Sequence, residues 1–152
     1  MKRRTLTLFF LSAALTACSG DQADTSVRDY MQGHVQPTAE IYWNAVQYIS
    51  DESGNHEIVP ETDAEWAQVR EAALELAAIG TELKEPRFAD GRGSAWIDFS
   101  NGLIEVAGKA EQAAVAKDVD AVFEVGGTVY SVCSACHQAY PPANPPEGSE
   151  AG

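Results

Sequence analysis

Two cysteines and a histidine near the end of the chain have the residue types and spacing for covalent cofactor chemistry. Cys133, Cys136 and His137 form the pattern C-x-x-C-H, which is the attachment signature of a c-type haem. On a helix, positions three and four apart share a face, so all three side chains can turn toward one planar ligand. The thiols can add to the haem vinyl groups, and the His137 imidazole can bind the iron as its proximal ligand. We therefore expect haem c at this motif.

Three other uses of the same residues compete with haem attachment. A thioredoxin-like redox pair is expected after a strand in a βαβ unit, and the sequence predicts no such strand. A zinc site needs a fourth ligand, for which the chain offers only the scattered His34 and His56. A structural disulfide between the two cysteines is compatible with an exported chain. The adjacent histidine and the helical placement favour haem.

The start of the chain predicts export. A basic opening, MKRR, precedes an apolar run over residues 6–15 that is too short to span a bilayer. The run leads into the sequence LTAC, which ends at Cys18 and resembles the bacterial lipobox, whose cysteine is lipidated. We predict a lipoprotein signal peptide over residues 1–17, lipidation at Cys18 and a polar tether over residues 18–25. Ordinary secretory cleavage near Ala17 is the alternative.

Charge and composition narrow the partners. The 152 residues include 23 Asp plus Glu against 10 Lys plus Arg, a formal net charge of −13. Removal of residues 1–17 leaves 7 cations and a charge of −16. This negative charge disfavours binding to nucleic acid, because phosphate groups bind clusters of Lys and Arg. It favours basic binding partners. A hydrophobic content of 45% is enough for one domain with a core. No Ser-His-Asp or phosphate-loop pattern is present, so we expect no enzymatic activity.

Apolar positions separated by alternating steps of three and four residues predict four helices. The apolar stripes comprise Met31, Val35, Ala39, Tyr42, Val46 and Ile49; Trp66, Val69, Ala73, Leu76, Gly80 and Leu83; Trp96, Phe99, Leu103, Val106, Ala110 and Ala113; and Val122, Val125, Val129, Val132, Cys136 and Ala139. Pro37 predicts either a kink in the first helix or a break, after which the proline opens the next helix. No comparable segment alternates with period two, so we expect no sheet.

Helix starts carry capping signals. Thr62 and Glu65 have the spacing of a capping box before the second helix. Ser94 can cap the third helix, and Asp118 can cap the fourth.

The links between the predicted helices cover residues 51–61, residues 84–93 and the pair 117–118. Links of this length favour antiparallel neighbours. We therefore predict an all-α fold, an antiparallel four-helix bundle over residues 26–140. The proline-rich residues 141–152 are predicted to be a disordered tail.

The stretch over residues 118–140 resembles the last helix of the class II c-type cytochromes, the cytochrome c′ family. Its haem motif lies near the end of the chain, whereas the common small cytochromes carry it near the start. The resemblance implies an antiparallel four-helix bundle with haem attached near the C-terminus of the last helix. It also implies that Cys133 and Cys136 carry the haem and that His137 is an axial ligand.

The resemblance makes the distal haem ligand the main open question. In this family the first helix lies across the distal face, and it supplies either an apolar side chain or a methionine. Met31 is the only methionine after residues 1–17, and a thioether is a soft ligand suited to haem iron. The distal ligand can be Met31 or His34, or the position can stay without a ligand. The alternative role for Met31 is packing in the core.

Together these features predict an exported protein that carries one electron on haem c with Met31 and His137 as ligands. The alternative is a five-coordinate protein that binds nitric oxide or carbon monoxide. The predicted location is the periplasm, with a lipid anchor in a bacterial membrane. The acidic exterior predicts other exported redox proteins with a basic face as partners. The resemblance adds homodimerisation as an option.

Overall fold

The computed structural model of the protein describes residues 26–142 and is mostly helical. Helix α1 spans Val27–Tyr30, a π-helical turn spans Met31–Val35, α2 spans Gln36–Ala45, strand β1 spans Gln47–Asp51, β2 spans Gly54–Ile58, α3 spans Asp63–Glu82, α4 spans Pro86–Ala89, α5 spans Ser94–Ala116 and α6 spans Val119–Ala139. Helices account for 74% of these residues, so the predicted all-α class is correct for most of this range. The predicted signal peptide, Cys18, the tether up to residue 25 and residues 143–152 lie outside the described range.

Helix α1, the π-helical turn and α2 follow one another without leaving helical backbone angles, and we call residues 27–45 the N-terminal helical segment. Within it, the Gln36 N–H donates to the Met31 carbonyl, five residues back. Pro37 has no N–H to offer the Gly33 carbonyl, and its ring would crowd that carbonyl in a regular α-helix. The wide turn ends at Val35, two residues before Pro37, which lies in the first turn of α2. The predicted break is therefore absent: Pro37 lies in the first turn of α2, but the backbone before it stays helical as a π-helical turn.

The expectation of no sheet is wrong for residues 47–58, where β1 and β2 pair antiparallel. The first helix was also predicted to reach Ile49, but it ends at Ala45, and Ile49 lies exposed in β1. At the turn, the Asp51 side chain accepts the Ser53 N–H at 2.8 Å, and Gly54 has a φ of +127°. Neither face of this hairpin is buried, so its strands lack the apolar alternation that identifies a half-buried strand.

The predicted apolar stripes form most of the core. All six stripe residues of α3 are buried, as are five of six in α5, where Phe99 is partly exposed. In α6, Val122 and Val129 are buried, whereas Ala139 is exposed. Helix α3 packs against α5, α5 packs against α6, and α2 packs against α3. Among residues 26–142, no helix combines the length and apolarity of a membrane span.

Two of the three predicted caps are confirmed. Thr62 and Glu65 form a reciprocal capping box at the start of α3, and the Asp118 side chain accepts the Ala121 N–H at the start of α6. The prediction for Ser94 is wrong, because Gly93, with a φ of +78°, is the N-cap of α5 and Ser94 is its first residue.

The link over residues 84–93 contains a structural element that the sequence did not predict. Pro86 is at the start of the short helix α4, and Phe88 within it is fully buried. The Arg92 guanidinium donates to the Phe88 carbonyl and so closes the link onto this helix. The link therefore contributes to the core.

Gly80 sets how closely α3 and α5 approach. A Cβ at this position would lie 2.7 Å from Cγ1 of Ile104 and 3.0 Å from the Ser100 carbonyl oxygen. Because that second neighbour is backbone, a side chain at residue 80 would force the helices apart.

We expect Gly80→Ala to lower the free energy of unfolding by about 1–3 kcal/mol, because overpacking forces backbone shifts. Gly108→Ala is the matched control, since residue 108 is inside α5 and a Cβ there meets nothing within 4 Å. It should raise stability by about 0.5–1 kcal/mol through helix propensity. Urea unfolding measures both, and equal effects of the two variants would contradict the close contact.

Candidate functional site

The N-terminal helical segment, α5 and α6 line a partly open cavity of about 560 Å³. This volume lies within the range of about 300–1,000 Å³ that is typical of ligand and cofactor sites. Much of its wall is apolar and includes Val35, Ala39, Leu83, Trp96, Phe99 and Leu103. Such a wall suits a flat apolar ligand with a few polar attachment points.

All three residues of the C-x-x-C-H motif line this cavity from the end of α6. Cys133 and Cys136 are half-buried, and both are free thiols. His137 is exposed as a whole, but it also contributes to the cavity lining. The helical placement that the sequence predicted therefore brings the two thiols and the imidazole to one cavity.

Met31 lines the same cavity from the N-terminal helical segment. Its neighbour Tyr30 fixes that part of the chain, because the buried Tyr30 hydroxyl donates to Glu82 Oε2 at 2.9 Å. The Tyr30 ring also packs on Phe88, with ring centroids 4.7 Å apart. Burial, followed by the hydrogen bond to Glu82, raises the Tyr30 pKa above its usual value. No local pattern in the sequence indicates this anchor, because its partners Glu82 and Phe88 are 52 and 58 positions away.

The other histidines lie elsewhere. His34 is exposed, its ring lies 5.2 Å from the Tyr30 ring, and it is not among the described side chains that line the cavity. His56 is on β2, with Nε2 2.7 Å from the Ser53 hydroxyl and 3.3 Å from Asp51. Of the two predicted distal candidates, Met31 shares the cavity with the motif and His34 does not.

The far end of α6 is anchored beside the motif. The Tyr140 hydroxyl donates to the Arg92 carbonyl at 2.7 Å, and the Tyr140 ring meets the Trp96 ring edge-on at 5.1 Å. Trp96 is itself held by a buried hydrogen bond from Nε1 to the Leu83 carbonyl, 2.6 Å long. These contacts fix the backbone three residues beyond His137. The apolar stripe predicts Trp96 as a core residue, and no pattern in the sequence indicates the role of Tyr140.

The environment of the two thiols does not favour reactive thiolates. Burial raises the pKa of the Cys133 thiol, and the neighbouring Cys136 adds to that rise. Burial also raises the pKa of Cys136. The motif lies in the last turns of α6, where the helix dipole opposes negative charge. Redox-active cysteine pairs instead have lowered pKa values, commonly at a helix N-terminus.

A zinc ligand set is not formed by the described side chains. Within residues 26–142, no three His, Cys, Asp or Glu side chains converge on a position that could hold a metal ion. A structural zinc site needs four converging ligands.

Comparisons with protein-family models, with curated proteins and with solved structures find no match for this chain. A function for this chain must therefore be inferred from the residues that line its cavity.

We expect Tyr140→Phe to lower the free energy of unfolding by about 0.5–1.5 kcal/mol, because it removes a partly buried hydrogen bond and leaves the Arg92 carbonyl without this donor. Tyr48→Phe is the matched control, since the Tyr48 hydroxyl donates to Asp120 in an exposed position. Its effect should stay within about 0.5 kcal/mol. Chemical denaturation of both variants checks this anchor, and a larger loss in the control would argue against it.

Proposed function

We propose that this protein is an exported, lipid-anchored c-type cytochrome that resembles class II and carries one electron on haem c. The observation that supports this most is a single cavity lined by Cys133, Cys136 and His137 from α6 and by Met31 from the N-terminal helical segment. The two cysteines would attach a haem through thioether bonds, and the imidazole and the methionine thioether would supply the two iron ligands of a low-spin haem.

The cavity fits a haem in size and chemistry. Its volume of about 560 Å³ and its apolar wall suit a large flat macrocycle. Haem c in this cavity supplies a one-electron redox centre. Cys133 and Cys136 would hold it covalently, and His137 and Met31 would ligate the iron.

The proposed architecture is a four-helix bundle made of the N-terminal helical segment, α3, α5 and α6. The contacts of α2 with α3, of α3 with α5 and of α5 with α6 support it. The two-residue link between α5 and α6, with Lys117 at a φ of 52°, supports a direct return of the chain. The hairpin and α4 would then be additions to two of the connections.

The residues around the cavity would favour electron transfer by holding the haem ligands in fixed positions. Tyr30 and Tyr140 tie the two ligand-bearing segments to the same region of α3, α4 and α5. The apolar side chains Val35, Leu103 and Trp96 line the cavity and would shield part of a bound haem from water. A redox centre in rigid and dry surroundings needs little reorganisation when its charge changes.

We expect the mature protein to show a Soret band and, when reduced, the sharp α band of a low-spin haem. Met31→Leu keeps an apolar side chain of similar volume and removes the thioether. This variant should lose the low-spin α band and gain readily detectable carbon monoxide binding. His34→Leu is the matched control from the same π-helical turn, and its spectrum should be unchanged.

Each alternative gives a distinct spectrum. If the protein shows no Soret band when produced in a host that attaches haem, it is a helical lipoprotein without haem. A high-spin spectrum in the unsubstituted protein would favour the five-coordinate protein that binds nitric oxide or carbon monoxide. Loss of the α band in His34→Leu but not in Met31→Leu would make His34 the distal ligand.

The proposed lipid anchor depends on Cys18, which the sequence predicts as the lipidated residue. We expect metabolic labelling with a radioactive fatty acid to mark the wild-type protein and to vanish in Cys18→Ala. The label should persist in Ser19→Ala, a control from the adjacent position. Label retained by Cys18→Ala would instead support ordinary secretory cleavage near Ala17.

A further inference from the structure

Helix α6 presents two large aromatic side chains to solvent. Phe123 is 50% exposed and Tyr130 is 62% exposed, and their separation of seven residues places them on one face of the helix. Gly127 lies between them, and a Cβ there would meet nothing within 4 Å. The same face leads to His137, seven residues after Tyr130. This exposed apolar face is therefore continuous with the motif.

Two further aromatic rings from other elements hold this face in place. Tyr48 of β1 meets Phe123 edge-on, with ring centroids 5.0 Å apart. Trp43 of α2 meets Tyr130 edge-on at 6.0 Å, and its Nε1 donates to the Gly126 carbonyl at 3.0 Å. We call Tyr48, Phe123, Trp43 and Tyr130 the aromatic strip. Because Trp43 and Tyr130 also line the cavity, the strip runs from the hairpin to the cavity.

The elements that contribute to the aromatic strip contain several carboxylates and no Lys or Arg. Residues 36–58 and 118–142 contain no Lys or Arg. The same two stretches contain seven exposed carboxylates, which are Glu40, Asp51, Glu52, Glu57, Asp118, Asp120 and Glu124. The Lys and Arg residues in the described range all lie elsewhere, on α1, α3, α4, α5 and the links that follow them. Residues 26–142 contain 19 Asp plus Glu and 7 Lys plus Arg, a net charge of −12, and these two stretches contribute −7 of it.

We propose that the aromatic strip is a docking surface for a redox protein whose contact face has an apolar centre and a rim of Lys and Arg. The redox character of this partner rests on the proposed function, whereas its shape and charge follow from the strip itself. A docked partner would lie against Trp43 and Tyr130 at the cavity. Electron-transfer complexes use small interfaces of this kind, below about 1,200 Å².

A second copy of this chain fits the surface poorly. Two such faces would bring two negatively charged surfaces together, and facing like charges are strongly unfavourable. A basic partner gains steering and specificity from the same charges.

The test uses the mature haem-loaded protein in non-ionic detergent and a fluorescein-labelled peptide, acetyl-KWKKWKKWK-amide, followed by fluorescence anisotropy. Two matched peptides separate the contributions: KSKKSKKSK keeps the charge, and EWEEWEEWE keeps the aromatic rings. We expect the lysine-tryptophan peptide to bind at least tenfold more tightly than either. Its affinity should fall as salt is added, because exposed charges are screened.

Substitutions then locate the binding surface. The double variant Phe123→Ser with Tyr130→Ser should weaken peptide binding about tenfold. Leu74→Ser with Val115→Ser is the matched control, since these apolar residues are 43% and 61% exposed on α3 and α5. The control should stay within twofold. A second variant, Glu57→Gln with Glu124→Gln, keeps the aromatic strip and should reduce the salt dependence of binding.

Two results would overturn the docking surface: equal weakening in the aromatic variant and its control, or unchanged binding in both the aromatic and the Gln variants. The absorption spectrum of the same samples tests the haem separately. A protein without a Soret band whose peptide binding still depends on Phe123 and Tyr130 would refute the proposed function and leave the docking surface standing. A haem-loaded protein whose peptide binding does not depend on Phe123 and Tyr130 would refute the docking surface and leave the proposed function standing.

Discussion

A buried hydrogen bond holds together the region on which the candidate site depends. Trp96 Nε1 donates to the Leu83 carbonyl at 2.6 Å and joins the end of α3 to the start of α5. Loss of this donor would leave a buried carbonyl unpaired, which costs about 1–3 kcal/mol. Tyr30 reaches the same region through Glu82, and Tyr140 reaches it through the Trp96 ring. The end of α3 and the start of α5 therefore position both the N-terminal helical segment and α6, which line the cavity.

The second constraint is the missing N–H of Pro37. The helix before it widens into a π-helical turn, and such turns often occur at functional sites. Met31 begins this turn and Val35 ends it, and both line the cavity. The charge distribution adds a third feature, because α2, the hairpin and α6 carry the uncompensated carboxylates. The elements with these carboxylates also contribute Trp43 and Tyr130 to the cavity lining.

Helical periodicity made much of the fold predictable, and its failures have physical causes. The stripe of α3, which runs on to its C-cap Leu83, is buried because this helix packs against both α2 and α5. The hairpin was missed because both its faces are exposed, so no alternation of apolar residues marks it. Its turn did carry a signal, the Ser53-Gly54 pair. Ser94 was misassigned because Gly93 can adopt the positive φ that the chain needs there.

The sequence by itself determined the local part of the site. The three-residue and one-residue spacings in C-x-x-C-H fix Cys133, Cys136 and His137 on neighbouring faces of any helix that contains them. Only the tertiary structure decided that Met31, and not His34, meets them in one cavity. Helix geometry relates residues a few positions apart. Contacts across about a hundred residues depend on how whole elements pack, and here on Tyr30, Trp96 and Tyr140, whose partners no local pattern identifies.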